Sequence, residues 1–386
     1  MENLGRIGFS EEQAEILDIA TQFCRARSPI EKVRKLIVDE RGFDQDIWKE
    51  IVELGWLGVA TPQEFGGVGL SLAEVAPIME QMGRTLFAGP FFCTTLAAQA
   101  ILAGATPQQK SAYLPRICGG EIATLGLSEN NCDWNLANIS AEAKPESGQL
   151  KLSGAKRFVA HADEAKIFIV SVLHAGVPTL VMFDADRLPR SSIRRETVID
   201  ETKRSFEINL DGILLGADAL FEADSADAAF RRIDMVANLL CAAELVGGSQ
   251  AVIDYTIEYL KTRKQFGKII GSYQALKHPT VDAFTNYEQA RSHLYAAANV
   301  INEQGTGEVA VRMARAKAET TLAFAADRSI QFHGGFGFTY DCDAQLFRRR
   351  AIWHSSQYGD AAYQRARLAE LLFQAHALCK NNNKLD

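Results

Sequence analysis

From Glu11 onward the apolar positions recur at helical spacing, with Ile16, Ile19, Ala20 and Phe23 separated by polar residues. This pattern predicts an amphipathic helix, and Ser10 followed by Gln13 supplies a capping box at its start. A second amphipathic stretch holds Ile47, Trp48, Ile51, Leu54 and Trp56, and Glu64-Phe65-Gly66-Gly67-Val68-Gly69-Leu70 reads as a glycine-rich turn. Helical patterning resumes near Leu72, continues to about Ala103, and restarts at Pro107. After Gly119-Gly120 the pattern changes. Leu150 to Gly154 and Phe206 to Leu210 alternate with period two, and Ile167–Val172 and Thr179–Phe183 are short β-rich runs. Such strands, divided by Gly, Asp and Pro, predict a small all-β domain. From about Ser225 long helices return over Ala226–Leu260, Ala275–Asn302, Val309–Gln331 and Asp343–Lys380, with glycines at their joints, so a four-helix antiparallel bundle is expected. The predicted fold class is α+β: a helical domain at 1–120, a middle β barrel or sandwich at 121–224, and a C-terminal four-helix bundle at 225–386. Only Lys380 to Asp386 read as disordered.

Length and composition narrow the function. A chain of 386 residues, 47% hydrophobic and 23% charged, is an ordinary globular protein of two or three domains. Its net charge of −7 argues against a nucleic-acid partner. No run of about 18 apolar residues stands out, so no membrane span is expected. Met1 to Ser10 has neither the basic nor the apolar region of a signal peptide. Seven widely spaced cysteines form no CxxC pair or Cys/His cluster. They read as reduced thiols of a cytoplasmic protein without a metal site.

Two motifs in the last third carry the chemistry: Arg263-Lys264-Gln265-Phe266-Gly267 and Gln331-Phe332-His333-Gly334-Gly335-Phe336-Gly337. An arginine supplies a charge-assisted contact to a pyrophosphate, and Phe266 covers an apolar face. Gln331 offers amide donors and an acceptor, while Gly334 and Gly335 permit close backbone approach. No strand precedes a GxGxxG here, which excludes a Rossmann dinucleotide site. In this order, within a helix–β–helix chain, the motifs resemble the flavin adenine dinucleotide (FAD) contacts of the acyl-CoA dehydrogenase family, and the resemblance covers nearly the whole chain. It implies FAD as cofactor. Arg263, Gln265, Phe266, Gln331, Gly334 and Gly335 would hold the FAD of a neighbouring subunit in a tetramer. Ser128 in Leu127-Ser128-Glu129 and Phe158 in Gly154-Ala155-Lys156-Arg157-Phe158 resemble the family's own-chain flavin contacts.

The departures from the family fall at the reaction. These enzymes remove an α-proton and a β-hydride from an acyl thioester, the proton going to a glutamate that precedes a glycine near the C-terminus. Aligned on Gly359, that position holds Tyr358, a phenol whose reference pKa near 10 suits a base poorly. Three readings stay open: Asp360 is the base; Glu244, on the helix before the Arg263 motif, is the base; or this chain contributes none and pairs with a related subunit that does. Asn130 to Trp134 replaces the family's Gly-Ser-Asp loop, and Ala160 lacks a hydroxyl aimed at the flavin. Arg348-Arg349-Arg350 is a basic run suited to CoA phosphates, an interface or a solvated helix face. His333 reads as a packing residue, and His354 as a minor candidate base. The resemblance thus implies α,β-dehydrogenation of an acyl-CoA substrate, with electrons passed to an electron-transfer flavoprotein, in a homo- or hetero-tetramer. The alternatives are a non-catalytic subunit of a heteromeric enzyme, steroid-degrading members included, or a flavin oxidase or monooxygenase of the same fold.

Overall fold

The computed structural model describes residues 9–382, and their side chains except those of 223 and 374–382. Residues 1–8, read above for a leader segment, and 383–386 lie outside the described residues. Helix α1 (Glu11–Arg27) begins with the expected capping box: Gln13 N donates to Ser10 Oγ and Ser10 N to Gln13 Oε1, both at 3.1 Å. Helices α2 (Ile30–Val38) and α3 (Gln45–Glu53) follow. The Leu72–Ala103 span is two helices, α4 (Leu72–Arg84) and α5 (Phe91–Gly104). The break falls where Leu86 turns left-handed at φ 51° and Pro90 precedes α5. Leu86, Phe87 and Ala88 are all buried there, so the apolar pattern runs through the break without registering it. Helix α6 (Pro107–Cys118) starts at Thr106, whose side chain caps Gln109 N.

The middle segment carries β1 (Ala123–Gly126), β2 (Glu142–Glu146), β3 (Gln149–Ser153), β4 (Ala155–Ala160), β5 (Ile167–His174), β6 (Val177–Asp184), β7 (Ile193–Arg195), β8 (Ser205–Asn209) and β9 (Leu214–Leu215). Strand β5 is the spine of a six-stranded sheet, pairing β1 and β2 in parallel and β6 antiparallel. Its residues Ile167 to Val172 are buried without alternation, as expected of a strand covered on both faces. A separate antiparallel sheet runs β4-β8-β7, with a bulge between Lys156 and Val159.

The last part holds α7 (Ala226–Thr262), a hairpin of β10 (Lys264–Gln265) and β11 (Lys268–Ile269), α8 (Gln274–Val300), α9 (Thr306–His333), α10 (Ala344–Ser355) and α11 (Ala361–Asn382). Helices α8, α10 and α11 all pack on α9. The fourth long helix expected over Asp343–Lys380 is two, because Tyr358 and Gly359 take φ of 54° and 90° and end α10. Residues 380–382, expected to be disordered, continue α11. Contrary to the composition reading, α7 contains a stretch long and apolar enough to cross a membrane, of mean hydropathy 1.5. That stretch is 89% buried, as in a core helix.

The chain divides into two compact units. One gathers the described residues up to Ile30, Ala76–Phe87 and Asn238 onward; the other holds Glu31–Val75 and Ala88–Ala237. Within the first, α4 and α7 touch backbone to backbone. A Cβ on Gly83 would lie 2.1 Å from Glu244 O, and one on Gly247 1.8 Å from Glu80 O.

Candidate functional site

In the first unit the Arg263 motif forms the β10–β11 hairpin. Phe266 and Gly267 occupy its two-residue turn with φ of 52° and 79°, the pattern of a type I′ turn. A phenylalanine there carries a left-handed strain of about 1–2 kcal/mol that glycine avoids. Its ring is 89% exposed, with Tyr273 edge-on at 6.4 Å. Arg263 and Gln265 are exposed as well, and Arg263 has no ion-pair partner among the described residues. The hairpin therefore presents an arginine, an amide and an aromatic ring outward.

The second motif begins in the last turn of α9. Gln331, Gly334 and Gly335 are exposed. No atom comes within 4 Å of a Cβ built on Gly334 or Gly335, and only Gly334 has a positive φ. Nothing in the chain's own packing requires glycine at 335, and its backbone stands open to a group from outside. Gly337 differs, since its Cβ would lie 2.1 Å from Ile330 O. His333 is a packing residue, stacked on Tyr255 and Tyr259 at 4.7 and 4.1 Å, with Nδ1 at 2.7 Å from Ser329 O. Burial pushes its pKa down. An exposed arginine, an exposed amide and open glycines fit a flavin dinucleotide approaching from outside the chain.

The loop between α10 and α11 carries Tyr358 on a left-handed backbone, and buried groups hold it. Arg315, wholly buried, donates to the carbonyls of His354 and Gly359 at 2.6 and 3.2 Å and to Glu319 at 2.5 Å. Glu319 in turn accepts from Ala361 N at 3.2 Å. Gln364 donates to Tyr358 O at 2.8 Å and accepts from Arg312 at 2.8 Å. The sequence reading missed this clasp. Its available signal was an Arg315/Glu319 pair at i, i+4 amid the alanines 314, 316 and 318, where a solvated helix face would be polar.

Both candidate bases are otherwise engaged. Asp360 is the N-cap of α11, its Oδ1 accepting from Tyr363 N at 2.8 Å. Glu244 is 1% exposed, ion-paired to buried Arg350 and 3.0 Å from His354 Nε2. Both carboxylate oxygens are thereby engaged, one by Arg350 and one by His354. His354 is buried beside the carboxylate, with Nε2 facing Glu244 Oε2. The basic run is divided as well: Arg348 pairs with Asp327 at 2.6 Å, Arg349 bonds Tyr340 Oη at 2.9 Å, and Arg350 faces Glu244.

In the second unit, Ser128 bridges Arg157, whose N–H donates to Ser128 O at 2.8 Å. The following Glu129 is buried and anchors its loop by accepting from Lys156 Nζ at 2.6 Å, Ser140 N at 2.8 Å and Ala141 N at 3.0 Å. Lys156 is fully buried; desolvation depresses its pKa, and Glu129 opposes that. Phe158 sits in the β4 bulge at φ 56°, its N–H donating to Glu196 Oε2 at 3.0 Å. Arg157 lies over its ring at 5.6 Å. The bulge turns Phe158 out of the β4–β8 ladder, and Glu196 fixes it there.

Comparisons with known proteins bear on the family and the fold. The model of the acyl-CoA dehydrogenase N-terminal domain matches residues 10–121, and that of the C-terminal domain matches residues 235–373. Acyl-CoA dehydrogenase IpdE2 of Mycolicibacterium smegmatis is 28% identical over 367 residues, 94% of this chain and 100% of that protein. A variant of the Tcur3481-Tcur3483 steroid ACAD superposes with a TM-score of 0.85 at 27% identity, covering 95% of this chain and 99% of that one. Butyryl-CoA dehydrogenase of Megasphaera elsdenii shares the fold, with a TM-score of 0.85 at 20% identity over 95% of this chain and 99% of that one.

Proposed function

Because the chain belongs to the acyl-CoA dehydrogenase family, FAD-dependent oxidoreductases acting on CH–CH groups of acyl-CoA, we propose that it is one subunit of a heteromeric acyl-CoA dehydrogenase whose proton-abstracting carboxylate comes from a related subunit. One observation carries this reading. Tyr358 stands on a strained, clasped backbone at the position aligned with the base, while the two carboxylates considered as alternatives, Asp360 and Glu244, cap a helix and close an ion pair.

Bound FAD supplies the hydride acceptor of the α,β-dehydrogenation. This chain's part is to bind and orient. Arg263, Gln265 and Phe266 on the hairpin, with Gln331, Gly334 and Gly335, hold the dinucleotide of a neighbouring subunit. Ser128 and Phe158 remain as own-chain contacts. The two-component name of the Tcur3481-Tcur3483 steroid ACAD supports a heteromeric assembly and a bulky, steroid-like acyl-CoA substrate; a hetero-tetramer and an electron-transfer flavoprotein as acceptor follow from the family resemblance. We place the domain boundaries at 120 and 224, and the protein in the cytoplasm.

Co-expression with a related subunit that carries the glutamate, followed by flavin counting and an acyl-CoA assay, tests this. The expected result is an active mixed assembly holding less than one FAD per chain. This chain alone is inactive, and Tyr358→Glu gains activity. Full dehydrogenase activity of the chain alone would overturn the proposal.

A further inference from the structure

A cleft of about 510 Å³ opens in the second unit, lined by none of the residues assigned above to flavin, and its size falls in the range of small-molecule sites. Its floor is built by strand alternation. Arg195 of β7 pairs Phe206 of β8, so Ile193, Arg195 and Phe206 share one face, while Arg194 and Glu207 pair with each other on the opposite face. Phe206 is buried, which gives the cleft an apolar base.

One wall is the turn after α2, set by Arg204. This buried guanidinium donates to the carbonyls of Leu36 and Asp39 at 2.7 and 2.6 Å, and Gly42 leaves it room, since a Cβ there would lie 2.2 Å from Arg204 Nε. Arg41 on this turn pairs with Glu164 across the cleft at 3.0 Å, which cancels one cation against one carboxylate. Asp39 accepts from Gly42 N at 2.8 Å and lies beside the Arg204 charge. Asp163 keeps a buried Oδ1 that meets no hydrogen-bond partner among the described residues. Burial first, and then Glu164, push its carboxyl up.

Two cations remain. Arg190 and Arg195 line the cleft, are exposed, and form no ion pair among the described residues. Planar guanidinium forks match the paired oxygens of carboxylates and phosphates. We propose that this cleft binds a small organic dianion, its carboxylate or phosphate oxygens held by Arg190 and Arg195 and its carbon skeleton lying on Ile193 and Phe206.

Isothermal titration of the full chain with sodium succinate and, separately, sodium pyrophosphate tests the assignment. At least one probe is expected to bind with 1:1 stoichiometry. Arg195→Ala and Arg190→Ala should each weaken it roughly tenfold or more, with Arg195→Lys intermediate. Arg194→Ala, on the opposite strand face, and Arg263→Ala, on the flavin hairpin, should leave it unchanged. Tight succinate with weak pyrophosphate marks a carboxylate ligand, and the reverse a phosphate ligand. Absence of binding by both probes, or binding indifferent to Arg190 and Arg195, overturns the proposal. Binding that falls with Arg263→Ala alone places the anion on the flavin motif and overturns it too. The readout involves no dehydrogenation, so it stands apart from the catalytic reading.

Discussion

Glu244 and Arg350 stand 106 residues apart in sequence and meet in a buried ion pair, each about 1% exposed. Their contact joins α7 to α10, and His354 closes it from the next turn at 3.0 Å.

Removing one member of such a pair strands the other charge in a site that water does not reach. Glu244→Ala is expected to destabilise the chain by about 3–5 kcal/mol, seen as a large fall in the urea midpoint. Glu244→Met with Arg350→Met recovers most of it. A catalytic base predicts the opposite pattern, with intact stability and lost turnover.

Asp360 distinguishes capping from catalysis through a conservative change. Asp360→Ala costs about 1 kcal/mol by leaving the first turn of α11 uncapped, whereas Asp360→Ser keeps a capping oxygen and is expected to keep both stability and assembly activity. Loss of turnover in the serine variant at unchanged melting temperature would restore Asp360 as a base.

At the hairpin tip, Phe266→Gly relieves a left-handed phenylalanine. The melting temperature of the flavin-free chain should hold or rise, while flavin retained through gel filtration of the assembly falls. Unchanged flavin content would show that the exposed ring does not serve the cofactor.

His161 gives a pH signature. Burial, then the nearby Lys203 and Arg204 cations, press its pKa from 6.5 to about 3, and Phe43 packs edge-on at 5.5 Å. Between those values the unfolded chain binds a proton that the folded chain refuses. The stability due to the neutral ring is therefore complete above about pH 6.5 and is lost as pH falls toward 3, by about 2 kcal/mol at pH 5. Urea titrations should show a shallower acid loss in His161→Gln; equal slopes would remove His161 as the cause.

Much of this protein was legible in the sequence. Neighbouring residues set the Ser10 capping box, the β-rich runs that became β3, β5, β6 and β8, and the long helices α7 to α9. Helix caps, period-two alternation and turn glycines act within a few residues. The two motifs that resemble flavin contacts stand out for the same reason, since Arg263 to Gly267 and Gln331 to Gly337 are each one continuous segment. The tertiary structure alone decided what the carboxylates do. Glu244 became half of an ion pair because Arg350 arrives from another helix, and Asp360 became a cap because the chain turns left-handed at Tyr358. The Arg190 and Arg195 cleft emerged only when a strand pairing and the turn at Asp39 were brought together. A carboxylate's chemistry depends on the charges and hydrogen bonds that face it, and here those partners come from segments far apart in the chain.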